Sequence, residues 1–309
     1  MQKFIEIESL ISKSHNILVL LHNFPDGDTI SSSLALSEYL NKIGKKADCA
    51  VKGTIPEVFN FLPGISSIRN DFLLGDYDLI FAIDCGDANR TGFPERLEQV
   101  CQTKPLINID HHFKNNLHKI AKINLVDDRA SAAAEIIFKL LKYLKAEINA
   151  RIATYILAGI YYDTGGFQHP NVTIETLNIA SECLHLGGRI GLVSQNLSFS
   201  KKPSTLKLWG LALKKIKVKK DGIVSTYLSK DDLESCEADS EDASGIVNLI
   251  NTIPETKIAI LLVESETGKI KASLRTESNS IDVSRLARLF GGGGHKKAAG
   301  FVFDATKLN

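Results

Sequence analysis

Ile17-Leu18-Val19-Leu20-Leu21-His22-Asn23-Phe24-Pro25-Asp26-Gly27-Asp28 is the stretch that decides the fold. Five consecutive apolar residues are too few to cross a membrane and read as a strand buried on both faces. A histidine and two carboxylates follow at once, with Pro25 and Gly27 interrupting the chain between them. Apolar residues then recur at helical spacing over 28–43. The pattern repeats further on. A second strand is expected over 47–51, and 79–83 and 105–109 are again buried strands. Helices are expected over 130–144, 150–162 and 174–186, the last with Thr173 as its N-cap. Apolar strands separated by helices predict an α/β fold whose mostly parallel sheet is covered on both faces.

The chain has 309 residues, more than one hydrophobic core usually serves, so two domains are expected. The character changes near Gly187. We place a first domain at 1–187, a linker at 188–205 and a smaller α+β domain at 206–309. In the latter, 222–228 reads as a strand, 257–263 and 269–275 as a hairpin around Thr267-Gly268, and 282–290 as a helix with Asp282 near its start. The eight lysines between 201 and 220 read either as solvated surface or as an electropositive wall facing a substrate. The acidic stretch over 231–242 reads as solvated surface.

Hydrophobic residues make up 44% and charged residues 24%, with a formal net charge of +1. A protein that coats long duplex nucleic acid carries a clear basic excess, so a phosphate substrate would be held by a local site here. Five cysteines, odd in number and without a C-x-x-C pair, suit a reduced, cytoplasmic chain. The N-terminal residues hold no signal-type apolar stretch, and no membrane association is expected.

Four segments carry metal-ligand side chains where a strand or helix ends: His22-x-x-x-Asp26-x-Asp28, Asp84-Cys-Gly-Asp87, Asp110-His111-His112 and Asp163-Thr-Gly-Gly. Singly, Asp26-Gly27 reads as a turn, Asp84 as a loop cap and His111-His112 as a surface pair. Together they converge, because ligands in an open α/β sheet bind at the carboxyl ends of the strands. Clustered carboxylates repel one another unless a cation neutralises them. Imidazole with carboxylate suits Mn, Fe, Zn or Co. Six or seven ligands suit two metals that share a carboxylate, about 3.5–4 Å apart.

These residues, with Pro25, resemble the four motifs of the DHH phosphoesterases. The run Gly291-Gly-Gly-Gly-His295-Lys-Lys-Ala-Ala-Gly300 resembles the signature of the associated C-terminal domain. The resemblance spans His22 to Gly300, with one departure: Ser31 stands where the family usually has glycine. It implies that His22 and Asp26 bind one metal, that Asp28, His111 and Asp163 bind the other, and that Asp84 bridges both. His112 would contact the substrate phosphate and Asp110 would orient a neighbouring histidine. Mn²⁺ is the implied metal. Two such cations would activate a water for in-line attack on phosphorus.

Four glycines bare their backbone amides, so Gly291, Gly292, Gly293 and Gly294 read either as a flexible turn or as a loop that closely approaches a ligand. The resemblance favours nucleotide binding there, with His295 and Arg275 as further donors. Arg90 is a weaker phosphate contact. Within the family, chains of this length resemble the nanoRNase and pAp phosphatase group, whereas RecJ-type exonucleases are longer. The expected activity is hydrolysis of very short oligoribonucleotides to mononucleotides, and of pAp to AMP. A phosphodiesterase of cyclic di-AMP or pApA is the second reading, and a non-catalytic nucleotide-binding module the third. The sequence leaves the oligomeric state open, a homodimer included.

Overall fold

The computed structural model describes residues 2–112, 116–199, 202–264 and 268–304. The chain divides into two compact units, Met1–Ser200 and Lys201–Asn309. The first opens with α1 (Gln2–Lys13) and continues with β1 (Asn16–Leu20), α2 (Gly27–Lys42), β2 (Lys46–Ala50), β3 (Leu79–Ile83), α3 (Pro94–Val100), β4 (Leu106–Asp110) and β5 (Ile123–Val126). Four helices follow: α4 (Ala133–Tyr143), α5 (Ala150–Asp163), α6 (Ile174–His185) and α7 (Ile190–Ser194). All five strands are parallel, in the order β2-β1-β3-β4-β5.

The apolar runs are continuous because successive side chains enter different cores. Ile17, Val19 and Leu21 join Leu79, Phe81 and Ile83 beneath the face covered by α2, α4 and α5. Leu18, Leu20, Ile80 and Ala82 point the other way, against Phe72, Tyr77, Phe93 and Leu97. The chain leaves β1 for β2 on one side and returns to β3 on the other. This reversal opens a crevice at the carboxyl ends of β1 and β3, where ligands bind in open α/β sheets.

Several details differ from the sequence reading. Helix α4 starts at Ala133 rather than 130, for a reason given with the site below. Strand β5, Ile-Asn-Leu-Val, was not anticipated, being short and partly exposed at a sheet edge. Much of 188–205, expected as a linker, is helical: α7 runs on into a π-helical turn over Gln195–Phe199.

The second unit comprises α8 (Pro203–Lys214), β6 (Lys217–Val218), β7 (Ile223–Leu228), α9 (Lys230–Ser235), α10 (Ile246–Asn251), β8 (Ile258–Glu264), β9 (Lys269–Arg275), α11 (Val283–Leu289), β10 (Gly293–Gly294) and β11 (Ala298–Asp304). Its sheet runs β10-β11-β9-β8-β7-β6, with only β7 and β8 parallel. The expected antiparallel pair is β8 with β9. Thr267 of its turn lies outside the described residues. Leu208, Val224, Ile246 and Leu261 pack on one face of this sheet, and Leu274, Val283, Ala287 and Ala299 on the other. The described lysines of 202–220 are all exposed, and Lys201 lies outside the described residues.

The glycine run is structured. Gly293 and Gly294 pair with Gly300 and Ala299. A Cβ at Gly292 would fall 2.2 Å from the Gly300 carbonyl oxygen, and one at Gly294 would fall 2.5 Å from that of Ala298. Those two glycines are demanded by packing. Cβ positions at Gly291 and Gly293 meet nothing within 4 Å, so no neighbouring atom excludes a side chain there.

Candidate metal centre

The predicted ligands gather at the carboxyl ends of the parallel strands. His22 lies just past β1 and is buried. Asp26 caps α2, accepting from the amides of Asp28 and Thr29 at 3.1 Å each. Asp28 occupies the first turn of that helix and is fully buried. Asp84 follows β3, Asp110 ends β4, and Asp163 ends α5.

Three overlapping groups result: His22, Asp26 and Asp84; Asp28, His111 and Asp163; and Asp84, His111 and His112. Within each, one ligand atom per residue lies within 4.8 Å of the others. His22 Nε2 is 3.7 Å from Asp26 and 3.9 Å from Asp84. His111 Nε2 is 3.1 Å from Asp163, 3.4 Å from Asp84 and 3.9 Å from Asp28. Asp84 thus faces both sets.

The donors fit divalent cations on structural grounds. Both ring nitrogens of His22, Asp84 Oδ1 and His111 Nε2 are buried without an aligned hydrogen bond. Polar atoms left so are rare and costly in a folded interior. Of these, His22 Nε2 and His111 Nε2 face the carboxylates across gaps too wide for hydrogen bonds or at unsuitable angles. A cation held between carboxylate and imidazole would satisfy them together.

Proton affinities agree. Burial, then Asp163 and Asp84, push Asp28 well above the usual carboxylate range. Burial and the neighbouring Asp84 and Asp26 raise Asp163 to about 6, against the attraction of His111. Burial opposes ionisation of Asp84 too, but His111 and His112 override it and hold its carboxyl below the usual range. Burial disfavours a charged His111, yet Asp163, Asp84 and Asp28 raise it to about 12. Asp110 and Asp84 raise His112 to about 10. Without metal, protons on the histidines stand in for cationic charge.

The supporting contacts are specific. Asp110 is fully buried. It accepts from the Gly86 amide at 2.7 Å and the His112 amide at 2.9 Å, and its Oδ1 meets His112 Nδ1 at 2.8 Å. Asp28 accepts from the Ala133 and Ala134 amides at 2.5 and 3.0 Å and from Ser32 Oγ at 3.0 Å. Ala132, the residue before α4, offers no capping side chain. Asp28 caps α4 from across the fold, which sets the start of that helix at Ala133. Gly159 of α5 allows this: a Cβ there would fall 2.7 Å from Asp28 Oδ1. Ser31 is fully buried with its hydroxyl unpartnered.

Helix α4 is itself anchored by Glu135, which is 1% exposed. Its Oε2 accepts from the Ser131 amide, Ser131 Oγ and Thr176 Oγ1, and its Oε1 pairs with Lys139 at 2.9 Å. The Asp163 carbonyl oxygen meets His169 Nδ1 at 3.1 Å and Asn171 Nδ2 at 3.3 Å. Sequence reasoning missed these positions. Backbone amides have no residue code, and lone polar residues carry no spacing signal.

The remaining candidates fall in two places. Arg90 packs against Gly86, its Nη1 3.3 Å from where a Cβ would sit, beside the Asp110 carboxylate. Arg275 ends β9 in the second unit, its guanidinium held by Asn248 Oδ1 at 2.8 Å and the Leu274 carbonyl at 2.9 Å. Burial lowers its pKa from the ordinary arginine value. Arg275 pairs with Ala298 on β11, whose other neighbour is β10 with Gly293 and Gly294. Arg275, the glycine run and His295 therefore share one end of that sheet.

Known proteins show the same order of parts. The chain is 32% identical to the bifunctional oligoribonuclease and PAP phosphatase NrnA of Thermus thermophilus, over 95% of this chain and 86% of that one. It is 29% identical to the NrnA of Bacillus subtilis, over 96% and 91%. An exopolyphosphatase-related protein from Bacteroides fragilis superposes with a TM-score of 0.90 at 27% identity, covering 98% of this chain and 91% of its own. Residues 222–309 match the DHHA1 domain. Residues 16–160, which hold every clustered ligand but Asp163, match the DHH family, N-terminal domain, and the chain belongs to the DHH family.

Proposed function

We propose that this phosphoesterase uses two divalent cations, Mn²⁺ by preference, to hydrolyse very short oligoribonucleotides to mononucleotides and pAp to AMP. The observation that carries the reading is Asp84, which faces His22 and Asp26 on one side and His111 on the other. In this reading His22, Asp26 and Asp84 hold one cation, and Asp28, Asp84, His111 and Asp163 hold the second. Bound there, two cations supply an activated water and neutralise charge on the phosphoryl group.

His112 contacts the phosphate. Its Nδ1–H donates a hydrogen bond to Asp110, which stabilises the charged ring, and Nε2 donates to a phosphoryl oxygen. Asp110 is a positioning residue. Arg90 contacts the phosphate from the first unit. The second unit captures the nucleotide through Arg275, Gly291 to Gly294 and His295. The names of the Thermus and Bacillus relatives favour oligoribonucleotides and pAp as substrates. A net charge of +1 argues against long duplex nucleic acid. Among the described residues no helix is long and apolar enough to cross a membrane.

A substrate panel with Mn²⁺ tests the reading: pAp, RNA of two to ten nucleotides, pApA and cyclic di-AMP. Turnover of pAp and the shortest RNAs is expected. Turnover of cyclic di-AMP or pApA alone would move the chain to a signalling phosphodiesterase. Absence of turnover on all four with metal bound would leave a nucleotide-binding module and refute the proposal.

A further inference from the structure

The segment after Asp163 turns back on itself in an uncommon way. Gly165, Gly166 and Phe167 all have left-handed backbone, at φ 56, 69 and 66. For Phe167 this is a disfavoured conformation, of the kind that persists where surrounding structure imposes it. The reversal lays the His169 ring flat on Gly165: a Cβ there would fall 2.3–2.7 Å from Nε2, Cε1 and Cδ2. The ring is therefore fixed beside the backbone of Asp163, whose carboxylate stands 3.1 Å from His111.

The amides of this loop are already used. Those of Gly165 and Gly166 bond to the Tyr162 and Tyr161 carbonyls, that of Phe167 to Thr164 Oγ1, and those of Gln168 and His169 to the Thr164 carbonyl. The loop is thus no anion cradle, and what it presents outward is side chain. His169 is exposed. Its Nδ1 meets the Asp163 carbonyl, which can only accept, so Nδ1 carries the proton. In the neutral ring Nε2 is then an acceptor.

We propose that His169 is a specificity-determining residue that accepts a hydrogen bond from the ribose 2′-hydroxyl beside the scissile phosphate. The inference rests on the nucleotide phosphoesterase reading given above. A phosphodiester has no proton to give to Nε2. The donors of a nucleotide are its sugar hydroxyls and base amino groups, and the 2′-hydroxyl lies nearer the phosphorus than any base amine. The same hydroxyl separates RNA from DNA.

The test compares pApA with its analogue lacking that one 2′-hydroxyl, at saturating Mn²⁺ and one fixed pH. The wild-type chain is expected to prefer the ribose substrate by about 3- to 10-fold in kcat/KM, the range for one neutral hydrogen bond. His169→Ala should bring the ratio close to one, and His169→Gln, whose side chain reaches further, should restore part of it. A residue that merely propped Asp163 would slow both substrates alike and leave the ratio intact, which would overturn the proposal. So would a wild-type chain indifferent to the hydroxyl. Turnover of pAp or cyclic di-AMP but of neither of these two substrates would overturn this contact alone, and failure on all of them would overturn the phosphoesterase reading as well.

Discussion

At the scale of the residue, Asp84 shows why identity and backbone matter together. It sits in left-handed backbone at φ 56, where most side chains are strained but Asp and Asn are tolerated. Asp84→Asn should therefore keep the backbone while removing the shared charge. We expect kcat to fall by at least ~10³-fold with far-UV circular dichroism unchanged, and a variant retaining a tenth of the wild-type rate would remove Asp84 from the bridging position. The histidines offer a second check. In the metal-free chain His111 is raised to about 12 and His112 to about 10, so both carry protons at pH 7. Ligation requires neutral imidazole nitrogen, so His111 must release its proton as the cation enters. Apparent metal affinity should rise with pH across the neutral range, and below about pH 6 Asp163 adds its own proton to the competition. Calorimetry at pH 7 in buffers of different ionisation enthalpy reads this directly. Loading without proton release would show that His111 is not a ligand.

At the scale of the element, α4 couples the core to the site. Its first amides hold Asp28, and Glu135 holds the residues just before them. Glu135→Ala leaves the Ser131 amide and hydroxyl without this buried acceptor, while the Thr176 hydroxyl keeps Thr173 Oγ1 as a partner. We expect a loss of about 3 kcal/mol in urea denaturation, together with a higher metal concentration for half-maximal activity. A loss of stability with unchanged metal requirement would make Glu135 a core residue only. This element also marks the limit of sequence reading. Strands β1 and β3 were legible because unbroken apolar runs have few other uses, and β4 because only Asn108 interrupts its run. Thr173 was legible as a cap, and Asp282 as lying near a helix start, because such signals act locally. The start of α4 was not, because its cap comes from a residue 105 positions earlier. Helix α8 was hidden among lysines, and β10 among glycines whose pairing partner lies beyond a turn. The ligands themselves were visible as residue types at element ends. The groups that aim them, amides and carbonyls above all, were not.

At the scale of the whole molecule, the clustered ligands belong to the first unit, while Arg275 and the glycine run belong to the second. Arg275→Ala should lower kcat/KM for a dinucleotide by roughly 10- to 150-fold, the range for a charge-assisted contact. Its effect on bis(p-nitrophenyl) phosphate should be slight, because that ester has no nucleotide for Arg275 to hold. Equal losses on both substrates, measured on one preparation, would place Arg275 in the fold rather than in capture.

Asp84 follows β3 between ligands that come before and after it in the chain, from His22 to Asp163. Cations at this centre would act as a clasp on four separated stretches of polypeptide, and no stretch can be grasped until the sheet has assembled. Such a clasp forms after the folding barrier is crossed, so it should slow unfolding and leave the rate of folding nearly unchanged. At a hundred times the dissociation constant a bound cation adds about 2.7 kcal/mol, equivalent to roughly a hundredfold in unfolding rate if it is lost before the barrier. Pulse proteolysis in urea with and without a chelator should show that difference in half-life, with refolding traces that superimpose. Equal half-lives would mean that the cations are held by segments that unfolding leaves intact. Where the half-lives differ as expected, metal supply governs how long the chain survives in a protease-rich environment as well as how fast it turns over.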